Sequence, residues 1–344
     1  MSTLPKRVEM QNSDQPAPAP NPAGDITTSA PQHHHHLHAP RAGATATLLN
    51  DYIELFKVRV TALVVMTAWA GFYLGSMRSG ISSIQPVLLE FLIGIGLVSA
   101  GSAALNQAIE RKLDAKMIRT AQRPIAAGRI SLIHGVAVGL AAIAIGGIIL
   151  ALSTNPVTVA LTLLTALLYC TIYTPLKRVT TLATFIGAFP GALPPLIGWT
   201  AARGQIEWAG VALFAILFVW QFPHFMAIAW LYREDYGRAG IRMLPVVQPD
   251  GWSTVLEALI YAILMIPVSL MPVYLHVAGP IYGAIALLLG AVYLAYTLRF
   301  TKTPAASKRS HTESKMYARD LLKVSVIYLP LLLTALMLNA AARR

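Results

Sequence analysis

The strongest constraint in this sequence is a series of long apolar stretches, each about long enough to cross a lipid bilayer. A helix rises 1.5 Å per residue, so a hydrocarbon core of roughly 30 Å needs about 20 apolar residues. The chain is 56% hydrophobic and only 12% charged, which excludes an ordinary soluble fold. We therefore predict an all-α integral membrane protein with roughly nine transmembrane helices, near residues 60–77, 86–105, 132–152, 157–173, 182–202, 208–230, 255–275, 280–298 and 324–340.

Residues 1–48 have a different composition, rich in Pro, Ala, Ser and Thr and without apolar periodicity. We predict a disordered, low-complexity N-terminal tail with no cleavable signal, followed by a transmembrane domain over residues 49–344. The tail carries histidines at positions 33–36 and 38, which fit either a solvated tract or a weak metal site.

Basic residues concentrate in every second connection between the apolar stretches. The connection after the second stretch holds six of them: Arg111, Lys112, Lys116, Arg119, Arg123 and Arg129. By the positive-inside rule, the basic connections and the N-terminus face the cytoplasm of a bacterial inner membrane, or the matrix if the membrane is mitochondrial. Because the net charge of +12 is spread over such connections, we expect no nucleic-acid partner. The single cysteine, Cys170, excludes a disulfide framework and a cysteine-based metal site.

The second stretch runs into a group of oxygen-bearing side chains spaced four residues apart: Asn106, Glu110 and Asp114. On a helix these three share one face, and Mg²⁺ binds through one or two carboxylates while keeping phosphate oxygens in its shell. Lys116, Arg119 and Arg123 follow closely, and such residues hold phosphate. The pattern predicts a metal-bridged diphosphate site. The alternative is an ordinary helix end with i, i+4 charge pairs.

A second acidic group, Arg233-Glu234-Asp235, follows the sixth stretch. The second and sixth stretches end on the same side of the membrane, so this group can face the first across one cavity and share a metal. The alternative is a solvated helix end. Within the sixth stretch, Gln221 and His224 flank Pro223. Polar side chains at this depth usually face a cavity, and the alternative for His224 is a hydrogen bond to a neighbouring helix.

The fifth stretch is rich in glycine and proline: Gly187, Pro190, Gly191, Pro194, Pro195 and Gly198. This composition predicts a bent or broken helix, which membranes tolerate against protein or a water-filled cavity. Close packing against small residues is the alternative.

The stretch 106–131, NQAIERKLDAKMIRTAQRPIAAGRIS, resembles the first Asp-rich motif of the UbiA-type intramembrane prenyltransferases, Asn-x-x-x-Asp-x-x-x-Asp followed by Arg-Thr and Arg-Pro. The stretch 220–247 is similar to the second motif of their haem-farnesylating branch. The resemblance extends from Asn50 to Ala341, with two departures. Glu110 replaces Asp, and the second motif lacks an Asp-x-x-x-Asp spacing, which leaves open the ligand shares of Glu234 and Asp235.

The resemblance implies a helical fold around a central cavity and transfer of a farnesyl group from farnesyl diphosphate to the vinyl group of haem b. Water then completes the side chain of haem O, which serves haem-copper oxidases through a downstream haem A synthase or assembly factors. Mg²⁺ is expected on Asn106, Glu110 and Asp114, with Glu234 and Asp235 opposite. The expected substrate-binding residues are Lys57, Arg111, Lys116, Arg119, Arg123, Lys177, Gln221, His224 and Arg233. The alternatives are an aromatic acceptor such as hydroxybenzoate, and a secondary transporter.

Overall fold

Long helices make up nearly all of the chain that the computed structural model describes, residues 48–80 and 85–341. No strand occurs within these residues, as predicted. The predicted tail and its histidine tract lie outside them, apart from Leu48. The helices are α1 (Leu48–Leu55), α2 (Val58–Ser79), α3 (Pro86–Asp114), α4 (Leu132–Ser153), α5 (Pro156–Leu167), a π-helical turn (Leu168–Tyr173), α6 (Thr174–Leu176), α7 (Ala183–Arg203), α8 (Trp208–Leu231), α9 (Arg233–Ala239), α10 (Leu244–Val247), α11 (Trp252–Tyr274), α12 (Pro280–Phe300), α13 (Thr303–Arg309) and α14 (His311–Ala341).

In the described part of the chain, nine helical segments are long and apolar enough to cross a membrane, which confirms the predicted count. The protein is a multi-pass integral membrane protein. Several spans begin where a proline occupies the first helical turn, including Pro86, Pro156 and Pro280. We call the side with the basic connections the basic face.

One boundary prediction was wrong. The ninth span was expected to begin near residue 324, but α14 begins at His311. Ser310 precedes the helix and its hydroxyl accepts from the Glu313 backbone N–H, an N-cap that starts the helix more than three turns before the apolar stretch. A helix at the basic face therefore replaces part of the expected connection.

Small residues let neighbouring helices approach closely, since apolar burial alone does not drive association in lipid. A Cβ atom added to Gly198 of α7 would lie 1.8 Å from the Ala68 carbonyl oxygen of α2, and one added to Gly71 would lie 1.9 Å from the Pro195 carbonyl oxygen. The fifth span is not broken, since α7 is continuous through its three prolines, and the predicted bend stays a prediction. The packing role that the sequence allowed holds for Gly198.

A polar cluster joins three spans at the face opposite the basic face. Arg203 pairs with Glu207 at 2.8 Å and donates to Ser79 Oγ at 2.6 Å, while Trp199 Nε1 donates to Glu207 at 2.9 Å. The hydrogen bond from Arg203 lowers the pKa of Glu207 from 4.5 to about 2. Arg203 therefore links α7 to α2 through Ser79 and to the start of α8 through Glu207.

We expect Glu207→Gln to lower the free energy of unfolding by about 1 kcal/mol at pH 7, a figure limited by the partial exposure of the pair. Because the folded protein lowers this pKa, the stabilisation is complete above pH 4.5 and is lost as the pH falls towards 2. Thermal unfolding in detergent at pH 7 and pH 3 would measure this. Glu90→Gln, which alters an exposed carboxylate on α3, is the control. An equal effect of Glu207→Gln at both pH values would contradict the assignment.

Candidate active site

A cavity of about 450 Å³ lies among α2, α3, α5, α7 and α8. One face of α3 lines it over about 28 Å, at 1.5 Å per residue. From the deep end towards the basic face, the lining residues of α3 are Ile95, Val98, Ser99, Ser102, Ala103, Asn106, Glu110 and Asp114. The wall therefore changes from apolar to acidic along its length, which suits an amphiphile with a polar head and an apolar tail.

Asn106, Glu110 and Asp114 are all buried, and each accepts a hydrogen bond from a cation. The pairs are Lys57 Nζ to Asn106 Oδ1 at 2.7 Å, Lys177 Nζ to Glu110 Oε1 at 2.9 Å, and Arg123 Nη1 to the Asp114 carboxylate at 2.8 and 2.9 Å. The three cations come from three separate parts of the chain. The structure therefore brings together six residues that the sequence predicted for one site. The alternative, a helix end with i, i+4 charge pairs, does not match these contacts, because each pair joins residues at least nine positions apart.

Lys57 occupies the break between α1 and α2 with φ 44° and ψ 51°, a left-handed conformation that is uncommon outside glycine. Such strain is typical of functional positions. Burial, together with the charges of Arg123 and Lys177, lowers the pKa of Lys57 to about 7. The three cations therefore repel one another, and a bound polyanion would relieve that repulsion.

The π-helical turn in the fourth span supplies residues that sequence reasoning missed. Tyr169 and Tyr173 line the cavity, and the Tyr173 ring lies 4.3 Å from Lys177 Nζ. Thr174 accepts from Asn106 Nδ2 at 3.0 Å. Widened turns of this kind are frequent at functional sites. The spacing of Tyr169, Tyr173 and Lys177, four residues apart, was the signal that could have revealed them.

The second motif reaches the first, as the parity of the spans predicted, but through different side chains. Tyr236, Ile241 and Met243 line the cavity. Arg119 also lines it, 4.9 Å from the Tyr232 ring centroid and 3.5 Å from the Tyr236 hydroxyl oxygen. Burial raises the pKa of Tyr236, so this hydroxyl stays protonated and can donate to an anion.

The carboxylates of the second motif point elsewhere. Glu234 is exposed and pairs with His311 of α14 at 2.7 Å, and Asp235 pairs with Arg238 of its own helix. Neither lines the cavity. The reason is local, because α8 ends at Leu231 and α9 begins a new helix at Arg233, which changes the faces that these residues occupy.

Gln221 lines the cavity, where its Nε2 donates to the Ala188 and Leu217 carbonyl oxygens. It lies against Gly191, where an added Cβ would come within 2.3 Å of Gln221 Oε1. His224, in contrast, faces α14, with Nδ1 2.8 Å from Ser325 Oγ and its ring stacked on Trp220. The histidine therefore makes the contact with a neighbouring helix that the sequence left open.

Three further predicted cations lie outside the cavity. The Arg233 guanidinium packs 4.2 Å from the Trp230 ring centroid and donates to the Trp230 carbonyl oxygen. Arg111 and Lys116 line a separate cavity on the outer side of α3. The position of Arg111 follows from helix geometry, since it is rotated by about 140° from Asn106, whereas Lys116 lies beyond the end of α3 at Asp114.

Residues 63–318 match the model of the UbiA prenyltransferase family, about three quarters of the chain. The chain belongs to this family. A UbiA relative from Koribacter versatilis (strain Ellin345), named protoheme IX farnesyltransferase, is 52% identical over 303 residues, which cover 88% of this chain and 97% of the relative. Membership of a prenyltransferase family sets aside the transporter alternative.

Solved UbiA structures share the fold. A digeranylgeranylglyceryl phosphate synthase has a TM-score of 0.69 at 18% identity, covering 85% of this chain and 98% of its own. A UbiA homologue from Archaeoglobus fulgidus bound to GPP and Mg²⁺ has a TM-score of 0.53 at 16% identity, covering 83% of this chain and 99% of its own. At these identities the likeness establishes the helical UbiA architecture.

Proposed function

We propose that this protein transfers a farnesyl group from farnesyl diphosphate to the vinyl group of haem b, which yields haem O. The observation that carries the proposal is the α3 wall, apolar at its deep end and acidic beside three cations at the other. The name of the Koribacter relative supports the donor and the acceptor, since the chain covers nearly all of that protein at 52% identity.

The donor set fits Mg²⁺. Among the described residues, no group of three or more His, Cys, Asp or Glu side chains could hold a metal alone. Mg²⁺ needs fewer protein ligands than that, because it binds through one or two carboxylates and completes its shell with water and phosphate oxygens. Asn106, Glu110 and Asp114 supply two carboxylates and an amide oxygen on one wall. When bound there, Mg²⁺ neutralises charge on the departing diphosphate. The Archaeoglobus homologue bound to GPP and Mg²⁺ supports a Mg²⁺-dependent prenyl transfer.

The residues of this chain would bind the diphosphate and keep the reacting carbon dry. Lys57, Lys177, Arg123 and Arg119 direct positive charge at the diphosphate oxygens, where it stabilises the leaving group as the C1–O bond breaks. The farnesyl C1 then bonds to the terminal vinyl carbon of haem b. Water adds to the other vinyl carbon and loses a proton. The apolar wall delays the entry of water until the carbon–carbon bond has formed.

The roles of the second-motif carboxylates and of His224 are also proposals. Glu234 and Asp235 remain predicted metal ligands, and His224 a predicted haem-orienting residue, although none of them lines the cavity. We further propose a bacterial inner membrane, or alternatively a mitochondrial one, with the basic face towards the cytoplasm or matrix. Residues 1–48 would form the tail and 49–344 the catalytic domain. The product would pass to a haem A synthase or to oxidase assembly.

The proposal is tested by supplying the purified protein with radiolabelled farnesyl diphosphate, Mg²⁺ and either haem b or hydroxybenzoate. Label on haem b and none on hydroxybenzoate is the expected result. Label on hydroxybenzoate alone would replace haem with an aromatic acceptor, although the prenyltransfer site would stand.

The preference for a prenyl donor of a given chain length should depend on the size of residue 99. Ser99 lines the cavity about 10 Å from Asn106 along α3, towards the deep end. We expect Ser99→Phe to reduce the use of farnesyl diphosphate by roughly 100-fold while the shorter geranyl diphosphate is retained, because a new ring blocks the deep end. Ile93→Phe adds the same ring on an exposed position of α3 and should leave the preference unchanged. Rates with both donors measure this. An unchanged preference in Ser99→Phe would place the tail elsewhere.

A further inference from the structure

A second cavity, of about 660 Å³, lies beside the first at the basic face. It is formed by the end of α3, by α6 and the segment that follows it, and by Gly240. Glu110 lines both cavities and so stands between them, whereas Thr174 lines the second cavity and not the first. We call this second cavity the basic crevice. It holds none of the three cations that pair with Asn106, Glu110 and Asp114, so it is a distinct site.

Four cations line the basic crevice: Arg111, Lys112, Lys116 and Arg178. Within the described part of the chain, none of them forms an ion pair with a carboxylate, whereas nearby Lys177 and Arg123 do. The one carboxylate in the crevice, that of Glu110, is already held by Lys177 at 2.9 Å. The crevice is therefore strongly positive, and its cations are available to an anion.

Apolar side chains stand next to these cations. Ile109 and Val179 both line the crevice and are 48% and 64% exposed. They lie at the ends of the second and fourth spans, the level at which lipid headgroups meet acyl chains. A soluble anion would use the cations alone. An anionic group joined to a hydrocarbon chain would contact both the cations and the apolar side chains.

We infer that the basic crevice binds the anionic headgroup of a phospholipid. Its phosphodiester oxygens contact the four cations, and its acyl chains pass Ile109 and Val179 into the bilayer. Basic pockets between transmembrane helices recognise anionic headgroups in this way. Because Glu110 is the one residue that the two linings share, the lipid occupies a place that the substrates of the first cavity do not need.

The test uses the full-length protein and native mass spectrometry with dioleoylphosphatidylglycerol and dioleoylphosphatidylcholine. The variant is Lys112→Gln/Arg178→Gln, which changes two exposed side chains outside the first cavity. The matched control is Lys308→Gln/Arg309→Gln, which removes the same two charges from exposed positions at the end of α13. Each basic contact near a membrane surface contributes about fivefold in affinity. The variant should therefore bind phosphatidylglycerol roughly 25-fold more weakly, while the control binds like the parent.

Two further arms identify the source of the anion. Soluble sn-glycerol 3-phosphate should not displace the phosphatidylglycerol, because it lacks acyl chains, and haem b should not displace it either. Equal binding of phosphatidylglycerol by parent, variant and control would overturn the inference. Binding of phosphatidylcholine to the parent as tightly as phosphatidylglycerol would overturn it too. Displacement by haem b would assign the crevice to carboxylates of the acceptor, and displacement by glycerol phosphate would assign it to a soluble phosphate. Each single variant should show about a fivefold loss.

Discussion

Replacing Asp114 by asparagine is expected to lower the rate of farnesyl transfer by at least about 1,000-fold. Asp114 is fully buried, lines the acidic end of the cavity and pairs with Arg123. The substitution removes a carboxylate from the proposed Mg²⁺ donors and lowers the stabilisation of the departing diphosphate, commonly the largest single contribution to catalysis. The initial rate with saturating farnesyl diphosphate and haem b is the measurement.

Asp51 offers a matched control for this variant. It is a second buried aspartate that pairs with an arginine, Arg129, also at 2.8 Å, but it does not line the cavity. Asp51→Asn leaves an arginine unpaired in the same way, so it should lower the unfolding temperature comparably and keep the rate within about threefold of the parent. Equal rates for the two variants would remove Asp114 from the site.

The largest expected effect on stability comes from Gly198→Ala. The new Cβ would lie 1.8 Å from the Ala68 carbonyl oxygen and 2.7 Å from the Phe72 backbone nitrogen, and backbone atoms cannot move aside as a flexible side chain can. We expect a loss of at least about 3 kcal/mol in the free energy of unfolding as α2 and α7 separate. Size-exclusion chromatography and thermal unfolding in detergent would report it.

Gly147→Ala is the control for this substitution. Its added Cβ would meet only Leu163 Cδ2 at 3.5 Å, an ordinary contact, and alanine favours a helix over glycine. This variant should be as stable as the parent or more so. A Gly198→Ala variant with the unfolding temperature of the parent would show that α2 and α7 do not pack as closely as described.

The sequence could predict the spans because their signal is local. Length and apolarity alone define a bilayer crossing, so the nine spans and the side on which each ends follow from counting. The stripe of Asn106, Glu110 and Asp114 follows from helical spacing in the same way. The family resemblance on these residues was confirmed by the match over residues 63–318.

The remainder of the site depends on contacts between distant parts of the chain. The cap at Tyr232 ends α8, and the new start at Arg233 places Tyr236, and not Glu234 or Asp235, at the cavity. No spacing in the sequence encodes that interruption. The position of Arg111, in contrast, was available from helix geometry, since it does not share the face of Asn106 on α3.

The most direct test of the central claim is the mass of the haem extracted from membranes of a host that lacks haem O and expresses this chain. We predict a new haem whose mass equals that of haem b plus a farnesyl group and a hydroxyl, and its absence when Asp114→Asn is expressed at the same level. Haem b alone, in membranes that contain the inserted and folded parent protein and farnesyl diphosphate, would contradict the account.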